Sequence, residues 1–101
     1  MTMGEPYRYA RQKLWQAVDC LVGDGPLRLR LGYAYTTLLI LNADNDLPAE
    51  LRDRFTALMQ ALDARADNEA HGPVTINTRA PKAGRLAGEV LSLYIALRGG
   101  I

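Results

Sequence analysis

Cys20 and His71 carry the strongest intrinsic chemistry in this chain, which has one cysteine and one histidine in 101 residues. Together such residues can supply a thiolate nucleophile and its general base, and the same two donors can begin a zinc site. Neither chemistry has the companions it needs. Zinc takes four donors at recognisable spacings, and the remaining places would fall to carboxylates that show no such spacing. Cys20 lies inside a helical repeat, where a small apolar thiol packs as core or boundary, and His71 stands beside Gly72 and Pro73 as an exposed loop residue. The loop around His71 is the one place left for an unrecognised enzyme site. We expect no catalytic, cofactor or metal site and a protein that is not an enzyme.

Carboxylates gather at Asp44, Asp46, Glu50 and Asp53, and again at Asp63, Asp67 and Glu69. The stretch "DNDLPAEL" superficially resembles a calcium loop, yet it lacks the glycine of the sharp turn and a terminal glutamate at the right spacing. Helix capping and solvation account for the acids. No phosphate-binding GxxxxGK, dinucleotide-binding GxGxxG or hydrolase GxSxG pattern occurs.

Basic residues raise a different chemistry. The formal charge of +1 provides no global attraction for nucleic acid or an anionic membrane. Its distribution is uneven, with +2, −4 and +3 over residues 1–36, 37–70 and 71–101. If the first and last helices lie side by side, Arg8, Arg11, Lys13, Arg79, Lys82 and Arg85 form a basic surface near Tyr7 and Tyr9 that can touch phosphates and stack on bases. Arg8, Arg11, Arg79 and Arg85 are thus the candidate nucleic-acid contacts. Solvated cations facing the acidic middle of the same or a neighbouring molecule explain the asymmetry more economically.

The elements that must position these residues are helical. Ala10, Leu14, Ala17, Val18 and Leu21 recur at helical spacing over 7–22, and Gly23 suits a left-handed stop. Pro26 suits the first position of a second helix over 26–41. There Leu27, Leu31, Ala34, Leu38 and Leu41 form one stripe, whereas strand-like alternation fails at "TTLLIL". A hairpin on "GDGP" is the alternative. After "NADND" and Pro48, a third helix over 47–65 carries Leu51, Phe55, Leu58 and Leu62 on one side. Residues 66–80 form a long irregular connection in which "VTINTR" alternates as an edge strand would. A fourth helix over 81–97 turns Leu86, Val90, Leu93, Tyr94 and Leu97 inward.

These elements predict an all-α fold, a compact bundle of about four helices in a single domain spanning 1–101, with 1–6 disordered. At 49% hydrophobic and 23% charged residues, the chain should bury one core. A lone cysteine excludes an intrachain disulfide framework and fits a reducing, cytoplasmic compartment. The start lacks a signal-like apolar core, Met3 offers a second start, and the apolar run near 31–41 is too short and interrupted for a membrane span. The closing Leu97-Arg98-Gly99-Gly100, followed by Ile101, is similar to the tail of ubiquitin-like proteins over four positions. That likeness implies a β-grasp fold, which the helical periodicity opposes, and two glycines ending the last helix suffice.

The bundle leaves a surplus of apolar side chains. Leu29, Tyr33 and Ile40 fall opposite the main stripe of the second helix, and Trp15 and Val22 lie beside that of the first. Such a surplus on a small protein marks an interface, most commonly a twofold homodimer, unless the long connection or the last helix covers it. We expect a non-enzymatic protein-binding module, a homodimeric adaptor or stoichiometric inhibitor or regulator of another protein. Trp15, Leu29, Tyr33 and Ile40 are its candidate contacts. A nucleic-acid accessory role for the basic surface is the alternative.

Overall fold

The computed structural model describes residues 7–68 and 72–99. Residues 1–6, expected to be disordered, and His71 lie outside the described residues. Apolar residues every three or four positions wind the chain into α1, Arg8–Leu21, which buries Ala10, Leu14, Ala17 and Leu21. Val22 adopts a helical cap and Gly23 donates its N–H to the Cys20 carbonyl. At Gly25 the chain turns with φ of 99°, a left-handed conformation open to glycine at no Cβ cost. Arg30 folds back over this turn, its Nε donating to the Gly25 carbonyl at 2.8 Å and its Nη1 to the Leu21 carbonyl.

Residues 27–38 are a helix, not a hairpin. This α2, Leu27–Leu38, buries Leu31, Gly32, Ala34, Tyr35 and Leu38. Pro26 caps it with extended ψ of 146° rather than occupying its first turn. It stops short of the expected residue 41 for two local reasons. The Thr36 and Thr37 hydroxyls donate back to the Gly32 and Tyr33 carbonyls at 3.0 and 2.9 Å, a competing interaction that disfavours continuation. Asn42 then takes an extended conformation to cap α3, Ala43–Asp46, its side chain accepting from the Asp44 and Asn45 N–H groups.

Pro48 precedes α4, Ala49–Asp63, which buries Leu51, Phe55, Leu58 and Leu62. Arg52 clamps the α3–α4 corner by donating Nε to the Ala43 and Leu47 carbonyls. Beyond α4 the connection is less irregular than its composition suggests. Strand β1, Ala66–Asn68, pairs antiparallel with β2, Val74–Ile76, in register Ala66 to Ile76 and Asp67 to Thr75. Residues 80–97 form α5, Ala80–Leu97, burying Ala83, Leu86, Val90 and Leu93.

The described residues thus form an all-α bundle of four main helices, one short helix and a small two-stranded ribbon. Helix α2 is central, touching α1, α4, α5 and β2. The ribbon reaches it through Gly32, where a Cβ would fall on the Val74 carbonyl oxygen. Ile76 is thereby fully enclosed. α4 is fastened to α5 on the outside by Arg54, which donates to Glu89 at 3.1 Å and to Ser92 at 2.8 Å.

Candidate functional site

The expected neighbourhood of the first and last helices exists, and its sense divides the basic surface. The start of α1 lies against the end of α5, so Arg8 and Arg11 meet Arg98 rather than Arg79 and Arg85. Arg8, Arg11, Gln12, Trp15, Tyr94 and Arg98 line an open groove of about 550 Å³. Trp15 is 52% exposed and its ring centre stands 5.8 Å from that of Tyr94, the planes tilted by 41°. The Arg98 guanidinium lies over the Tyr94 ring, 5.8 Å from its centre, a cation–π arrangement. Lys13 turns instead over Tyr9, at 5.7 Å.

Arg79 and Arg85 belong to a second groove of about 440 Å³ at the opposite end of α5, together with Arg65, Asn77, Thr78, Pro81 and Lys82. An 18-residue helix is about 27 Å long, so the two basic grooves are separated by most of its length. Among the described residues, the second is lined by no aromatic ring.

The expected contact residues also part company. Tyr33, 46% exposed, lies on the side of α2 away from its buried stripe, and Ile40, 60% exposed, follows just beyond the helix end. Leu39, the C-cap of α2 and 55% exposed, faces α4 instead, beside Tyr35 and Met59. Leu29 is half-buried and packs toward the Gly25 turn. Trp15 belongs to the arginine groove, with Tyr94 as its neighbour.

Cys20 is half-buried with its Sγ 4.0 Å from the Thr37 hydroxyl, at the seam of α1 and α2. Among the described residues no three His, Cys, Asp or Glu side chains gather as metal donors, and no helix is long and apolar enough to cross a membrane. Among the described residues the most perturbed group is Tyr35, whose hydroxyl donates to Asp63 Oδ1 at 2.6 Å. That hydrogen bond, then burial, then the carboxylate's charge push the phenol up to about 12. It ties α2 to the end of α4 beside a shallow cleft of about 240 Å³ formed with Leu39, Met59 and Gln60.

Tyr94, Arg98 and Gln12 escaped the sequence reading as site residues. Tyr94 looks like core by periodicity, and Arg98 like the frayed end of a helix. Their partnership with Trp15 depends on which ends of α1 and α5 meet, and residue spacing within either helix carries no record of that. Compared with known proteins, the chain matches no family model, no curated protein and no solved structure.

Proposed function

We propose that this protein is a non-enzymatic protein-binding module that works as a homodimer, as an adaptor or stoichiometric regulator of another protein in the cytoplasm. The supporting observation is the outer side of α2. A helix with apolar residues on opposite sides is normally covered on both. Here the chain covers the side of Leu31, Ala34 and Leu38 and leaves Tyr33 and Ile40 open.

A second copy suits this side, because a twofold pairing covers the exposed apolar side chains of both chains at once. Those side chains offer less than the roughly 800 Å² per partner of a standard interface, so the dimer is a modest one. The lone, half-buried Cys20 supports a reducing compartment.

Crosslinking and light scattering over a micromolar concentration series test this reading. Association that Tyr33→Glu abolishes, with the fold retained, is the expected result. A strictly monomeric wild-type chain overturns it.

A further inference from the structure

The groove between the start of α1 and the end of α5 has a chemistry that dimerisation through α2 does not use. Among the described residues its lining consists of three arginines, one glutamine and two aromatic rings. Its volume of about 550 Å³ lies within the range of pockets that hold small ligands, roughly 300–1,000 Å³. From these observations we propose that it binds a nucleoside-phosphate unit, with the base stacked on Trp15 and the phosphate held by Arg8 and Arg98.

Each part of the ligand has a counterpart. Guanidinium groups fork onto phosphate oxygens in bidentate pairs, which gives both strength and orientation. Trp15 is half exposed and braced by Tyr94, so its ring is held in place while part of it stays open to a planar partner. Stacking of a base on an aromatic ring contributes about 1–3 kcal/mol and tolerates any sequence. The Gln12 side chain supplies both a donor and an acceptor for a base edge. An acidic peptide would find the same cations but, among the described residues, no aliphatic wall for its apolar side chains, and this composition favours the flat ring over it.

The unit can come from a free nucleotide or from a single strand of nucleic acid, and the second basic groove separates these sources. Arg65, Arg79, Lys82 and Arg85 stand at the far end of α5 with no ring among the described residues, suited to phosphates alone. At about 3.4 Å per phosphate along a strand, the length of α5 corresponds to roughly eight phosphates. A short oligonucleotide therefore reaches both grooves, whereas a mononucleotide occupies only the first.

Trp15 is the chain's one tryptophan, so its fluorescence reports directly on the groove. The test titrates the full chain with decathymidylate, with thymidine monophosphate and with decaglutamate, at about 20 and about 200 mM salt. Decathymidylate should quench Trp15, and its affinity should fall by at least about a hundredfold between the two salts if three or more phosphate contacts are lost across the two grooves. Trp15→Ala and Arg98→Ala, followed by anisotropy of labelled oligonucleotide and checked for folding by circular dichroism, should each weaken binding about tenfold. Trp15→Phe should recover most of the loss, because a phenyl ring also stacks.

Decathymidylate binding at least tenfold tighter than the monophosphate identifies a strand as the source. Equal affinities support the same site with a free nucleotide in it. The proposal is overturned if neither probe quenches Trp15 at low salt, if Trp15→Ala binds as wild type does, or if decaglutamate binds as tightly as the oligonucleotide.

Discussion

Replacing Gly32 by alanine separates local helix preference from tertiary packing, because the two predict opposite signs. Gly32 lies in α2, where alanine is better by about 1 kcal/mol on intrinsic propensity. An added Cβ would, however, coincide with the carbonyl oxygen of Val74 and press on the backbone of Thr75. Backbone atoms cannot swing aside as a flexible side chain can, so the β1–β2 ribbon must lift away from α2. Ile76, fully buried beneath that ribbon, then meets water, and full burial of such a side chain contributes about 1.5–3 kcal/mol. Lost contact at Val74 adds to this and the propensity gain offsets part of it, leaving Gly32→Ala less stable by about 1–3 kcal/mol. For a domain of this size that lowers Tm by roughly 5–20 °C. Thermal unfolding followed by circular dichroism measures the shift. Amide exchange at Asn77, whose N–H donates to the Arg65 carbonyl at 2.7 Å, should quicken if the ribbon is what moves. A rise in Tm, with Asn77 still protected, would refute the close approach of ribbon and helix.

Other substitutions examine the remaining links. Because the Tyr35 phenol is raised to about 12 in the fold, the unfolded chain ionises first, so its stabilising contribution is complete below pH 10 and is lost as pH rises through about 12. Urea unfolding at pH 9, 10 and 11 should therefore show the advantage of wild type over Tyr35→Phe shrinking as pH rises, and a constant difference would contradict it. Arg30→Ala removes two hydrogen bonds to the α1–α2 turn and should cost about 1–2 kcal/mol in the same unfolding assay at neutral pH. Glu89→Gln weakens a bridge whose side chains are 40% and 37% exposed, so its effect should stay below about 1 kcal/mol.

Periodicity made the main helices legible because each is short, amphipathic and bounded by proline, glycine or asparagine. α4 is the clearest case, its four expected inward residues all buried. The same reasoning missed Tyr35, which joins the core only because its hydroxyl finds Asp63 on another helix. Of residues 66–80 it caught the alternation of "VTINTR", where β2 lies, and missed β1 and the pairing. Three residues of β1 have too little alternation to register, and what fixes this ribbon is Gly32, a residue more than thirty positions earlier along the chain. At the candidate site, the exposure of Tyr33 could be read from angular position, whereas Leu29 on the same side is half-buried against the Gly25 turn and Leu39 went unread. The arginine groove could not be read in this way, since it is assembled from the two ends of the chain.

The outer side of α2 either joins two copies or stays bare. Sedimentation velocity of the wild-type chain and of Ile40→Glu, from low to high micromolar concentration, measures this most directly. Wild type should move from one chain mass toward two, and Ile40→Glu should remain at one with an unchanged circular dichroism spectrum, since Ile40 is 60% exposed and supports little of its own core. Wild type fixed at one chain mass throughout, or Ile40→Glu dimerising as wild type does, would contradict it.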